Sequence, residues 1–336
     1  MTARRRPAPR GAIGYRWGAG LLCLAAALLL LLYLAPELQG RSNLLAMAAA
    51  FVPYGVLAWA LALVLVLLGT RGHARAWVIP VALGLVGHSV VLLPYLPTVR
   101  TAADGTPPEL TVLTLNLRFG LADLTELEDV VARERPDVVV LTEVSRRVAL
   151  ASAEGSWREL LPYRAGRAGA DFDAATGAGD PRGTMVLSRL PLTELGYTER
   201  TRFTNLAVRL ETAEGPVFLV AAHPVNPATT VKLWLRDGQA VASLAATHAA
   251  QPLIVAGDLN ATAEHLTLRC LLSRAGLANT SAGQGWQPTY PANRWYPPLI
   301  AIDHVLASRH FTVTGYRTVQ VPGTDHLGVL VRLARA

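Results

Sequence analysis

The chain of 336 residues is 51% hydrophobic and only 16% charged, against about 25% charged in an average soluble domain. That composition excludes a simple cytosolic enzyme, and the supply of apolar side chains excludes a disordered chain. The net charge of +7 is one-sided: residues 1–97 carry eight arginines against Glu37 alone, whereas 98–336 hold 23 basic and 23 acidic residues. A neutral C-terminal part argues against a polyanion-binding surface, and the two cysteines, Cys23 and Cys270, lie in surroundings too unlike for a disulfide framework.

Three uncharged apolar stretches open the chain: Trp17–Ala35, Leu44–Leu68 and Ala76–Pro97. Each is long enough to cross a hydrocarbon core of about 30 Å, and none shows the polar stripe of a buried core helix. A cleaved signal peptide is the alternative for the first, but two more spans follow closely. Arg4, Arg5, Arg6, Arg10 and Arg16 precede the first span, Glu37 and Arg41 cancel in the next loop, and Arg71 and Arg75 sit in the one after. Positive charge on the inner side puts the N-terminus in the cytoplasm. Three spans then leave everything after Pro97 outside, in a multi-pass protein of the cell membrane. The expected divisions are a basic N-terminus (1–16), three membrane helices (17–97), a Gly- and Pro-containing linker (98–109) and an extracytoplasmic domain (110–336). Pro53 and Pro80 are expected to kink their helices. His88 reads either as an intramembrane functional group or as an imidazole bonded between helices.

In the outer domain, strands are expected at Leu110–Leu115, Val138–Leu141, Met185–Leu187, Leu206–Leu210, Val217–Ala222, Leu253–Ala256, Ile300–Ala307, Val313–Thr318 and Leu327–Arg332. Helical spacing covers Asp123–Arg135, Thr229–His248 and a segment near Ala263–Ala275. Gly166–Gly183 reads as a mobile loop. The order implies an α+β fold with two packed mixed sheets flanked by helices, an α/β/β/α sandwich.

Polar residues interrupt the apolar runs at strand ends. They are Asn116 after LTVLTL, Glu143 after VVVLT, His223 after VFLVAA, Asp258 and Asn260 after LIVAG, Asp303 after PLIAI, and Asp325-His326 before LGVLV. Any one alone would be a cap or turn; together they can converge on one cleft rim. The inventory of carboxylates, imidazoles and amides, with no nucleophilic Cys and no GxSxG elbow, suits Mg²⁺ or Mn²⁺ better than Zn²⁺. It is a kit for water attack on phosphorus. His304 is read as structural, and His248, His265 and His310 as exposed. The stretch WQPTYPANRWYPP (286–298) reads either as core packing or as an aromatic rim for a lipid chain, with Arg294 facing phosphate.

The motifs LNL with Asn116, VVLTEV with Glu143, RGTMVLSRLPL at 182–192, AAHPVNP with His223, VAGDLNA with Asp258 and Asn260, IDHVLAS with Asp303, and GTDH with Asp325-His326 resemble those of the endonuclease/exonuclease/phosphatase superfamily. With three spans ahead of them, they look most like its membrane-anchored, VanJ-like teicoplanin-resistance members. The resemblance implies Mg²⁺ (or Mn²⁺) held by Glu143, Asn116 and Asp325, and His326, oriented by Asp303, as acid/base group. It implies that Asp258 positions or activates water and that Asn260 and His223 hold phosphate oxygens. Arg118 stands where nuclease members often carry Asp, which fits an anion gripped by arginine; Arg182, beside Gly183, reads either as a hinge of the mobile loop or as a phosphate contact, and Arg294 as a further substrate contact. The implied activity is a metal-dependent phosphohydrolase acting on a membrane lipid phosphate or pyrophosphate at the outer face, such as undecaprenyl pyrophosphate or a cell-wall lipid precursor. Its partners would be that lipid and the bilayer, with no nucleic acid. An extracytoplasmic Mg-dependent nuclease and a non-catalytic sensor on the same fold are the competing readings.

Overall fold

A computed structural model describes residues 10–69, 76–98, 109–177 and 179–336. The basic segment 1–9, the loop 70–75 and linker residues 99–108 lie outside the described residues. The chain divides into two compact units, Met1–Pro94 and Tyr95–Ala336.

The first unit holds α1 (Arg10–Leu34), α2 (Asn43–Ala49), α3 (Gly55–Gly69) and α4 (Val78–Ser89), the last prolonged by a 3₁₀ segment, Val90–Tyr95. Three segments are long and apolar enough to cross a membrane: Gly14–Leu34, Val52–Gly69 and Val78–Tyr95. The expected second span, Leu44–Leu68, is not one helix. It breaks at a 3₁₀ turn, Val52–Tyr54, because Pro53 cannot donate to the preceding turn. His88 Nε2 lies 2.8 Å from the Val52 carbonyl oxygen in that turn, which also accepts from Gly55 N, and a Cβ on Gly55 would overlap the imidazole. The bonded reading of His88 is therefore the one observed. Pro80 sits in the first turn of α4, where a missing N–H costs nothing, so no kink is needed there.

The second unit runs β1 (Leu110–Asn116), α5 (Leu124–Glu134), β2 (Val138–Thr142), α6 (Arg146–Ala151), α7 (Gly155–Leu160), β3 (Tyr163–Arg167) and β4 (Thr184–Ser188). It continues with β5 (Leu192–Tyr197), β6 (Leu206–Thr212), β7 (Gly215–Ala221), α8 (Val231–Ala246), β8 (Leu253–Asp258) and α9 (Leu266–Ala275). β9 (Leu277–Asn279), β10 (Asp303–Ser308), β11 (Phe311–Val319) and β12 (Gly328–Arg335) close the chain. Two six-stranded mixed sheets form, in the orders β11-β12-β1-β2-β4-β3 and β5-β6-β7-β8-β10-β9.

Strand parity builds the layers. Leu110 and Val112, Val138 and Val140, Leu219 and Ala221, Ile254 and Ala256, and Val305 and Ala307 face one another across the sheets. The alternate residues of β1 and β2, Leu113, Leu115, Val139 and Leu141, pack under Leu127, Val130 and Val131 of α5. On the other side Val220, Leu253 and Val255 meet Val241, Ala242 and Ala245 of α8 and Leu268 and Leu271 of α9. The result is the expected four-layer arrangement of helix, sheet, sheet and helix.

Candidate active site

The same parity delivers the polar residues. Asn116 lies two residues beyond Thr114 and four beyond Val112; His223 follows Ala221, Asp258 follows Ala256, and Asp303 precedes Val305, each on the inter-sheet side. All four are buried. They stand where the apolar sandwich core runs out at one edge, and Asp303 is paired directly opposite Asp258 in the antiparallel β8–β10 ladder.

Glu143 just past β2 and the Arg118-Phe119-Gly120 turn past β1 all have positive φ (55°, 46°, 57° and 74°). Non-glycine residues avoid that region, and strain of this kind gathers at functional sites. Here it aims donors inward. Arg118 N donates to Asn116 Oδ1 at 2.8 Å and Phe119 N donates to Glu143 Oε2 at 2.8 Å. Asn116 Nδ2 bridges two carboxylates, Glu143 Oε1 at 3.2 Å and Asp258 Oδ2 at 2.9 Å.

Beside them, His326 Nδ1 bonds Asp303 Oδ2 at 2.9 Å, and His326 Nε2 lies 4.0 Å from both Asp258 Oδ2 and Asp325 Oδ1. His223 Nε2 is 3.7 Å from Asp258 Oδ2 and 4.0 Å from Glu143 Oε1. Burial holds the His223 imidazole below its usual value against the pull of Asp258, so these are contacts of a neutral ring. Burial also works against charge on His326, but Asp303, by charge and hydrogen bond, together with Asp258 and Asp325, pushes it up to about 10. Burial, then the charge of Asp303, raises Asp258 to about 6. Burial raises Glu143 against its bonds from Asn116 and Phe119.

This crowding of carboxylates around a single bridging amide N–H group is an electrostatic deficit that a hard divalent cation would relieve. Glu143 and Asp325 offer carboxylate oxygens of the kind such a cation takes. In this structure Asn116 turns its amide nitrogen to the carboxylates while its oxygen accepts from Arg118 N. Among the described residues, the ligand atoms of Asp258, Asp303 and His326 lie within 4.8 Å of one another. Two of those groups are already bonded to each other, and a protonated imidazole cannot coordinate.

The expected substrate arginines are placed unequally. Arg118 Nε lies 3.9 Å from Asp325 Oδ1 at the mouth. Arg182 gives a two-bond fork to Asp180, 2.8 Å each, and lines an open cavity of about 590 Å³ with Arg202 and Phe203. Arg294 is exposed. Asn260, itself at φ 46°, donates its amide to Pro224 O at 3.0 Å and its backbone N–H to Asp258 Oδ1 at 2.9 Å; it ties the β8 end to the His223 loop.

Several positioning residues had no sequence signal beyond being polar. Asn205 Oδ1 accepts from His223 N at 2.6 Å. Thr324 Oγ1 donates to Asn116 O at 2.7 Å and accepts from His326 N at 3.2 Å. Buried Thr289 Oγ1 accepts from Ile302 N and Asp303 N at 3.2 and 3.3 Å. The Tyr290 ring lies 4.9 Å from that of His326. His304 points to the opposite face, bonding Ala261 O at 2.8 Å. His265, expected to be exposed, is buried; its Nδ1 accepts from Thr262 N at 2.7 Å and shapes the turn into α9. The loop Gly166–Gly183 is tied through its own acids: Asp180 accepts from Ala170 N and Arg182 N, and Phe172 stacks on Phe119 at 6.3 Å.

Two layered sheets thus gather polar strand ends at one edge of the sandwich. The sequence profile of the Endonuclease/Exonuclease/phosphatase family matches residues 113–326, and the chain belongs to that family of phosphatases and nucleases. Among solved structures, an endonuclease/exonuclease/phosphatase from Beutenbergia cavernae is 24% identical with a TM-score of 0.50, covering 68% of this chain and 72% of its own. A family protein from Leptotrichia buccalis is 15% identical, TM-score 0.52, with coverage of 67% and 99%. The human Nocturnin catalytic domain, solved with a bound sulfate, is 18% identical, TM-score 0.52, with coverage of 68% and 94%. At these identities the likeness is one of fold. No curated sequence matches the chain.

Proposed function

We propose that this protein is a divalent-metal-dependent phosphohydrolase acting on the phosphate or pyrophosphate of a membrane lipid at the outer face of the cell membrane. The observation that carries the reading is the His326–Asp303 pair opening on the same buried pocket as Asn116, Glu143, Asp258 and His223, in a chain with three span-length apolar helices. The spans would hold the site near a two-dimensional substrate and raise its effective concentration.

Glu143, with Asp325 and Asn116, would hold the cation, which when bound supplies charge neutralisation at the phosphoryl oxygens. Asp303 fixes the imidazole through Nδ1, leaving Nε2 to keep a proton and present it to the scissile phosphate or its leaving oxygen. Asp258, raised to about 6, is placed to orient water and accept its proton near neutral pH. The neutral His223 ring and the Asn260 amide, through the hydrogen not given to Pro224 O, are donors for the remaining oxygens. Arg118 at the mouth meets the anion, and Arg294 and Arg182, the latter only on release from Asp180, would extend that grip.

The test is phosphate release from a polyprenyl pyrophosphate by the full-length protein in detergent, with Mg²⁺, with EDTA, and for His326→Ala. The expected result is metal-dependent turnover that falls by several orders of magnitude in the variant. Turnover unchanged by EDTA or by the substitution would reject the reading, and steep loss of polynucleotide cleavage with salt would favour a nuclease.

A further inference from the structure

Within the unit Tyr95–Ala336, the first residues run along the segment 283–286. Tyr95 packs edge-on against Trp286, ring centroids 4.8 Å apart, and hydrogen-bonds Glu264; Thr98 N donates to Gly283 O at 3.0 Å. Tyr95 is also the last residue of the apolar segment Val78–Tyr95. Trp286 is thus in contact with the last residue of a span-length apolar segment.

Four residues beyond Trp286, Tyr290 sits against His326. From there the chain makes an excursion, fastened by Ala292 N to Asp325 O at 2.7 Å and closed by the Tyr290–Ile300 bridge. At its tip Trp295 is 95% exposed, the most exposed large apolar side chain among the described residues, and its ring lies 5.4 Å from that of Tyr296. Arg294 precedes it. The core-packing reading of this stretch thus fails at Trp295. Tryptophan and tyrosine collect at the membrane–water boundary because one end is apolar and the other wet, and a neighbouring cation suits anionic headgroups.

We propose that loop 291–298, with Trp295 and Tyr296 at its tip, inserts into the interfacial layer of the bilayer. Insertion holds the mouth beside His326 at the level of lipid headgroups. The inference rests on the membrane-anchored reading above, but not on the identity of the reaction.

The test is a spin-label depth measurement on the full-length protein in vesicles of phosphatidylethanolamine and phosphatidylglycerol, in a Cys23→Ala, Cys270→Ala background. Labels replace Trp295 (Trp295→Cys), the exposed mid-helix Leu24 (Leu24→Cys) and the exposed loop residue Glu199 (Glu199→Cys). The label at 295 is expected to favour collision with oxygen over a water-soluble nickel complex, at a depth between the deep label at 24 and the aqueous label at 199. A label at 295 that behaves like that at 199 while 24 is deep overturns the insertion and leaves the anchoring intact; a protein partner on the loop would give this result. An aqueous label at 24 overturns the anchoring, and the insertion with it.

Discussion

Asp303 decides where the proton resides. Its carboxylate bonds His326 Nδ1 at 2.9 Å and is the largest influence holding that imidazole up against burial, to about 10. Asp303→Asn keeps the shape and removes the charge. In metal-free protein, the His326 titration followed by NMR should then fall from about 10 towards the ordinary value of about 6.5. Turnover should fall about a hundred- to ten-thousand-fold; an unmoved titration would contradict the assigned partnership. Asp258 offers the complementary test. Its folded-state value of about 6 lies above the ordinary 3.8, so the folded protein binds this proton more tightly than the unfolded chain. The contribution to stability is full below 3.8 and is lost as pH rises through 6. A divalent cation offsets that loss, so added Mg²⁺ or Mn²⁺ should raise the melting temperature more at pH 8 than at pH 5. Equal shifts at both pH values would show that the cation is not meeting these carboxylates. At this scale the sequence was legible wherever a polar residue broke an apolar run: Asn116, Glu143, His223, Asp258, Asp303 and His326 all reach one pocket. It was silent on Asn205 and Thr289, whose amide and hydroxyl act on His223 N and on Ile302 N and Asp303 N, residues well removed in sequence.

Strands supply the register and turns supply the aim. An apolar strand whose inward parity ends in Asn, Asp or His carries its polar residue to the edge of the sandwich, which explains why LTVLTLN, VFLVAAH and LIVAGD could be read together. Gly257, at φ 146°, lies where a Cβ would collide with the Ala222 carbonyl. It lets the ends of β7 and β8 approach, and with them His223 and Asp258. Gly257→Ala should therefore lower turnover at least tenfold and lower the melting temperature, because the obstacle is backbone and the φ is strained. Unchanged activity would mean that this approach is not needed. Thr289→Val leaves Ile302 N and Asp303 N without their shared acceptor. A cost of about 1–3 kcal/mol is expected, read by denaturant unfolding, with loss of turnover as Asp303 shifts. The elements missed from sequence have a common cause. β3 and β5 lie at sheet edges and are half exposed, so they lack the apolar alternation that marks a buried strand. α6 and α7 have six residues each, too few to show a helical period.

The whole molecule joins two physically different parts, and their contrast was the clearest signal in the chain. Apolar runs of 18 to 21 residues need no tertiary context to be recognised. The break at Pro53 and the contact of His88 with Val52 O beside it did need it, because those residues lie on different segments and meet only in the folded chain. If the arginines of the N-terminal segment stay in the cytoplasm, protease added to intact spheroplasts should remove the domain after Pro97; protection of that domain would reverse the orientation. The account as a whole turns on residues from six separate strand ends enclosing one cation. Crystals of the full-length protein soaked in Mn²⁺ and measured at the manganese edge test this most directly. The expected result is one anomalous peak within about 2.2 Å of a Glu143 carboxylate oxygen, lost in Glu143→Gln. A peak confined to surface acids, or one unaffected by that substitution, would contradict it.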